Sequence, residues 1–294
     1  MIYVKTPLTR QIREAVALTW GVTGEGERLH GGEESAAYRL DGHVIRVGPA
    51  WRAAAESEWC HAIARHAAAG LPEAVAPLPA AEGTTVIVVG GRPISCWPYV
   101  EGAWPDSDIP AHREAGAHLL ARLHRSLADF RPGPRPVPAF QEEGLYGDPP
   151  QDAAELDDPD LDHWLTAFHT AHPIRHPLHG DYYTGNTLAR DGRIVAVLDW
   201  DETFVGAPEL ELAAAALEWG DDLTGPSQEF VAAYHQAGGT AAHLDQESLA
   251  QLVRHKLRRE HAYFHKAVRS GVTHNEADIE YHRSRVELFH RLRP

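Results

Sequence analysis

His179-Gly180-Asp181-Tyr182-Tyr183-Thr184-Gly185-Asn186-Thr187-Leu188, followed by Val195-Ala196-Val197-Leu198-Asp199-Trp200-Asp201, is the stretch on which the reading of this chain turns. The first part is a tight polar loop, turned by Gly180 and Gly185, that enters a strand at Thr187-Leu188. Asp191-Gly192 is a two-residue hairpin turn, since both residues tolerate the positive φ such a turn demands. Ile194 to Leu198 is then a buried strand that ends in a carboxylate. The hairpin gathers Asp181, Asn186 and Asp199 towards one end of a small sheet. There, one carboxylate can accept a hydroxyl proton. The carboxamide oxygen and the second carboxylate suit a magnesium ion on a nucleotide's phosphates.

The stretch resembles the catalytic loop and metal-binding segment of the aminoglycoside phosphotransferase family. These are antibiotic and small-molecule kinases, choline and homoserine kinases among them. That family carries His-Gly-Asp, an Asn five residues on, and a hydrophobic strand ending in Asp-Trp or a similar pair. All three features stand here in order. The resemblance implies a bilobal, protein-kinase-like α+β fold. An antiparallel five-stranded sheet would form the nucleotide-binding N-lobe over residues 1–98. Residues 99–102 would be a hinge, and 103–294 a mainly helical C-lobe with the catalytic loop and acceptor site. It also implies transfer of the γ-phosphoryl group of ATP, with GTP as the alternative, to a hydroxyl. Asp181 would take the proton, and Asn186 and Asp199 would hold Mg2+.

The N-terminal part carries matching signals. Thr6-Pro7 reads as a helix start, with Ile12, Val16 and Leu18 on an apolar side. Strand-like segments follow at Glu27 to His30, Ala36 to Leu40 and His43 to Val47, the last two joined by the Asp41-Gly42 hairpin. Gly31, Gly32 and Ser35 fall where the fold places its loop over the phosphates, and glycines let backbone approach a phosphate. Arg46 stands where kinases keep a phosphate-gripping lysine; arginine keeps the charge but offers a planar fork of donors. Glu56 and Glu58, in the Ala53 to Ala69 helix, are its candidate partners, with Glu58 preferred. Thr84 to Val89 and Pro93 to Trp97 make a second hairpin. It runs into Pro98, Tyr99 and Val100, whose backbone groups would bond adenine.

Leu119, Leu120, Leu123 and Leu127 fall at helical spacing in a helix from Ile109 to about Ala128, where His124 reads as packed rather than catalytic. Residues 130–160 are rich in Pro and lead into an acidic run of Asp152, Glu155, Asp157, Asp158, Asp160 and Asp162. The resemblance places an acceptor site there. Asp157, Asp158 and Asp160, with Asp201, Glu202 and Glu260, are its candidate residues. Gly206-Ala207-Pro208-Glu209-Leu210-Glu211-Leu212-Ala213 resembles the family's Gly-Asp-Pro-x-x-Asp-Leu-Ala, with Ala207 and Glu211 in place of its aspartates. The chain from Pro226 onward reads as helical.

The chain has 294 residues, 43% hydrophobic, enough for a sizeable core. No apolar run reaches the roughly 18 residues that span a bilayer, and Met1 to Arg10 has no signal-peptide stretch. Two cysteines, Cys60 and Cys96, make a disulfide framework improbable and a cytoplasmic location the expectation. A formal charge of −15 disfavours nucleic acid and anionic membranes and favours cations. Among 20 histidines, His261 and His265 have helical i, i+4 spacing. No glutamate lies between them and no third-ligand pattern accompanies them, so a dedicated zinc site is not expected. A nucleophile elbow and a Gly-Lys-Ser/Thr phosphate loop are both absent. The leading expectation is a kinase that phosphorylates a cationic antibiotic, an aminoglycoside or basic peptide, and so confers resistance. A metabolic kinase for homoserine, choline or another small alcohol is the runner-up. An inactive nucleotide-binding regulator is the third reading, opposed by three filled catalytic positions.

Overall fold

A computed structural model gives the fold and describes residues 6–29, 34–140, 153–220, 225–269 and 272–293. Helix α1 (Arg10–Trp20) opens at Thr9, whose hydroxyl accepts from the Ile12 N–H at 3.2 Å. The start expected at Thr6-Pro7 is displaced because the Thr6 carbonyl accepts from the Tyr38 hydroxyl at 2.6 Å and holds that segment against the sheet. Strands β1 (Glu27–Arg28), β2 (Ala36–Leu40), β3 (His43–Val47), β4 (Ile87–Val89) and β5 (Arg92–Pro98) form one antiparallel sheet in the order β1-β2-β3-β5-β4. Asp41 and Gly42 turn the β2–β3 hairpin at φ of 42° and 73°. Strand alternation then decides where β3 sends its side chains. Ile45 and Val47 are fully buried under α1, whereas Arg46 faces the other way, into the cleft.

Helix α2 (Ala54–Gly70) crosses beside this sheet, and α3 (Pro110–Leu127) begins the helical lobe. The catalytic stretch lies between two short ladders. Strand β6 (His176–Leu178) pairs with β9 (Phe204–Gly206), and β7 (Thr187–Arg190) with β8 (Arg193–Val197) across the Asp191-Gly192 turn. Backbone bonds fasten the β7–β8 hairpin to the segment after α2 and to the one after β5. Val75 donates to Val197 at 3.1 Å and Val197 to Glu73 at 2.7 Å. Ala103 and Ala189 exchange both of their bonds, at 2.9 and 2.7 Å. Helices α5 (Pro208–Gly220) and α6 (Pro226–Gln236) pack with α3 into the larger core, whose fully buried residues include Leu120, Leu123, Trp219 and Phe230. Bilobal and protein-kinase-like, this is the expected fold class.

The acidic run is placed otherwise than expected. Asp158 caps helix α4 (Pro159–Ala171), accepting from the Asp160 and Leu161 N–H groups at 3.1 Å each. Its second oxygen pairs with Arg254 of helix α7 (Gln246–Arg269), and one turn on, Asp162 pairs with Arg258 at 2.6 Å. Asp158 and both arginines are buried. Asp158 therefore fastens α4 to α7 rather than meeting an acceptor, because a carboxylate this deep needs a cation and donors of its own. Asp157 is exposed, Asp160 lies 3.6 Å from Arg293, and Asp152 is outside the described residues. Burial works to raise the Asp158 pKa, but bonds from Arg254 and Leu161 outweigh it and hold it below 3.8. Its contribution to stability is thus complete above that ordinary value and fades as pH falls through the depressed one. Asp158→Asn is expected to cost about 1.5–3 kcal/mol, the worth of a charged hydrogen bond. Denaturant unfolding at neutral pH checks the size, and the gap between the two proteins should narrow in acid.

Cys60 and Cys96 are buried free thiols. Among the described residues no helix is long and apolar enough to cross a membrane.

Candidate active site

The catalytic loop is built from below. Gly180 sits at φ +87°, and a Cβ there would lie 2.1 Å from the Glu202 carbonyl oxygen, so only glycine lets these two segments meet. Glu211, at the first turn of α5, accepts from the backbone N–H of His179 at 3.1 Å and of Gly180 at 2.5 Å. Its extra methylene relative to aspartate is accommodated. The same carboxylate bonds His124 Nε2 at 2.8 Å, and His124 Nδ1 meets the Tyr234 hydroxyl at 2.7 Å. His124 is thus a packed support, as its sequence context suggests. Burial works to raise the Glu211 pKa, but the His124 contacts and the Gly180 N–H hold it low. His179 closes the loop from the other side. Its Nδ1 accepts from the Asp181 N–H at 3.3 Å, so its Nε2 is the protonated nitrogen that donates to Leu198 O at 2.8 Å.

Asp181 is held facing the cleft. Asn186 Nδ2 donates to its Oδ2 at 2.8 Å and to its carbonyl at 2.9 Å. With the amide nitrogen committed to Asp181, the side-chain oxygen is the atom of Asn186 suited to a cation. Leu198 N–H donates to Asn186 O at 2.8 Å, which seats Asp199 beside it, at φ +58°. Burial first, then the nearby charge of Asp199, pushes the Asp181 carboxyl up to about 7 against the opposing pull of Lys256. A carboxylate poised there suits proton acceptance at neutral pH.

Above the loop lie two cations, Arg52 buried and Arg46 partly exposed. Arg46 reaches Asp199 at 3.0 Å and Asp201 at 2.8 Å. Arg52 reaches Asp201 at 2.6 Å and Glu34 at 2.8 Å. The two arginines and Ser35 line a cavity of about 270 Å³. Arg52 has no helical or strand pattern to mark it in the sequence, and only its place just before α2 hints at a role. The expected Arg46–Glu58 pair is not made. Glu58 is turned to the other side of α2, accepting from Thr85 N–H at 2.7 Å, its hydroxyl at 2.7 Å and Val86 N–H at 2.8 Å. Glu56 pairs with Arg135 at 3.1 Å, so neither helix glutamate serves Arg46; Asp199 and Asp201 do. Asp201, expected at the acceptor, belongs to this arginine cluster because alternate residues after β8 share a side. Glu202 lies near Glu34 and Arg52, and burial pushes it up to about 7. Gly31 and Gly32 lie outside the described residues. At the hinge, Pro98 ends β5 and the Tyr99 N–H is taken by Gly42 O at 3.0 Å, so Tyr99 N–H is not an adenine donor.

A second cavity, of about 580 Å³ with its open mouth included, opens beside Asp181 and is lined by Tyr183, Phe204, Glu218, Leu252, Lys256 and Arg259 among others. Lys256 pairs with Glu218 at 3.0 Å and with Glu260. Arg285, on helix α8 (Glu276–Arg291), pairs with the same two glutamates at 2.6 and 3.1 Å. Glu260 is therefore committed to two cations within the wall, which hold its pKa low against the effect of burial. It is not the bare acceptor anion that its exposed-face reading implied. Lys256 had no sequence signal beyond its place on the α7 helix, whereas Arg259 belongs to a mixed run of residues beside Glu260 that the sequence offers to the acceptor.

Comparison with known proteins gives the family. The model of the phosphotransferase enzyme family, APH, matches residues 25–252. The chain belongs to that family. A homoserine kinase of Granulibacter bethesdensis is 26% identical over 170 residues, 55% of this chain; the match spans only 53% of that relative's length. An amicoumacin kinase solved with AMP-PNP, Ca2+ and its antibiotic superposes with a TM-score of 0.73 at 12% identity, covering 96% of this chain and 92% of its own. A microcompartment-associated aminopropanol kinase gives 0.70 at 18% identity, covering 95% and 94%. A spectinomycin phosphotransferase in complex with ADP and spectinomycin gives 0.63 at 15%, covering 98% and 99%. At these identities the likeness is one of fold.

Proposed function

We propose that the chain transfers the γ-phosphoryl group of ATP to the hydroxyl of a small molecule that carries an ammonium group, an amino alcohol or hydroxy amino acid. The observation that carries this is the cavity beside Asp181, whose wall sets Lys256 and Arg259 against Glu218. A homoserine kinase and an aminopropanol kinase among the similar proteins support the same class of acceptor. The cationic-antibiotic reading, with its resistance role, keeps the net charge of −15 and the spectinomycin phosphotransferase among the similar structures as support, but Asp158 and Asp162 of the acidic run offered for it are tied up in ion pairs.

On this reading Arg46, Arg52 and Ser35 hold the phosphates, and the hinge near Val100 and the Tyr99 carbonyl meet the base. Asn186 and Asp199 supply oxygens for Mg2+, and this donor set, two hard oxygens beside two arginines, fits a magnesium-bound triphosphate. Magnesium, when bound, neutralises charge that develops on the phosphates. Asp181 orients the acceptor hydroxyl and takes its proton, and His179, Glu211 and Asn186 keep it in place. Because such transition states are loose, positioning counts for more than basicity.

Asp199→Asn tests the nucleotide half. It should weaken Mg–ATP binding and turnover together, by about tenfold or more, since a ligand carboxylate is lost. Magnesium titrations in which the variant's dependence matches wild type would remove Asp199 from the metal. For the acceptor half, amino alcohols and hydroxy amino acids should give higher kcat/KM than aminoglycosides. The reverse order would restore the antibiotic reading.

A further inference from the structure

Far from the catalytic loop in sequence, α7 and α8 bring three histidines together. One ring nitrogen each of His261, His265 and His282 lie within 4.8 Å of one another. His261 is 2% exposed, and its Nδ1 is buried with no hydrogen-bond partner among the described residues. A buried polar atom without a partner is costly, and a bound cation would relieve that cost. His265 and His282 are partly exposed, so the cluster opens to solvent on one side. The His282 ring is held in place by Phe264, stacked at 3.9 Å and 3°. Glu155, on the short turn before α4, puts a carboxylate oxygen 3.8 Å from His261 Nε2.

We infer that His261, His265 and His282 form a site for a zinc-class divalent cation that clamps α7 to α8. Three imidazoles are a donor set that selects zinc, copper or nickel over magnesium. Zinc–nitrogen bonds of about 2.0–2.1 Å need ring nitrogens about 3.3 Å apart. The partly exposed His265 and His282 can turn inward to close that gap. The helix spacing of His261 and His265 is visible in the sequence, but the third ligand comes from the next helix, and only the fold unites them. The clamp lies on the same two helices as Lys256, Glu260 and Arg285, and so stiffens the wall of the cavity beside Asp181. Binding itself is independent of the phosphotransfer reading.

Untagged protein, stripped with chelator and kept in excess magnesium, tests this by calorimetric titration with zinc chloride. About one zinc per chain should bind, and the thermal midpoint should rise with zinc concentration. His265→Ala and His282→Ala should each lose more than about tenfold in zinc affinity, since even outer partners of a ligand cost that much. Their apo melting midpoints report whether they fold. Cobalt substitution of the wild-type protein, which needs no variant, should give intense visible absorption of a four-coordinate site. No zinc binding in excess magnesium, unchanged affinity in both variants, or a cobalt spectrum of the hydrated ion would each overturn the inference.

Discussion

Asp181→Ala is expected to lower phosphoryl transfer by about 10²–10⁴-fold, the range general-base catalysis supplies, and to leave Mg–ATP affinity within a few-fold of wild type. The separation follows from position. Asp181 is bonded to Asn186 and faces the cavity lined by Lys256 and Glu218, whereas the arginines that serve the phosphates meet Asp199 and Asp201. Steady-state kinetics together with nucleotide titration check both halves. Turnover within a few-fold of wild type would remove Asp181 from its role.

Glu211→Ala should be the most damaging change to the scaffold. It strips a partner from His124 and from two backbone N–H groups in a site where the Glu211 side chain is 2% exposed. Breaking a buried charged pair costs about 3–5 kcal/mol. The catalytic loop should loosen with it, so kcat falls alongside stability. Glu211→Gln keeps an acceptor oxygen and should lose less on both counts. Denaturant midpoints and kcat for the two variants, measured together, test the ordering. An alanine variant as stable as wild type would show that the loop does not depend on this carboxylate.

What was legible in the sequence is what is local. His-Gly-Asp, the Asn five residues on and the Asp191-Gly192 turn specify a loop and hairpin within about twenty residues, and the structure joins Asp181 to Asn186 accordingly. The antiparallel sheet followed from alternation and from two glycine-bearing turns. Long-range partners were not legible. Asp158–Arg254 and Asp162–Arg258 each span 96 residues, and no spacing rule connects α4 to α7. An acidic run therefore looked like one binding face when two of its carboxylates, Asp158 and Asp162, form a seam between helices. Glu58 went wrong for a related reason: periodicity gives a helix its packed side, not which neighbouring strand its carboxylate will meet. Arg52, Lys256 and His282 each acquire meaning only once the chain has folded.

The most direct test of the central claim is transfer itself. The protein, with Mg–ATP and a panel of hydroxy amino acids, amino alcohols and aminoglycosides, is followed by 31P NMR. The account predicts a new phosphate monoester on at least one acceptor, dependent on the divalent cation and lost in Asp181→Ala. Nucleotide binding with no monoester formed on any acceptor, and no difference between wild type and Asp181→Ala, would contradict it.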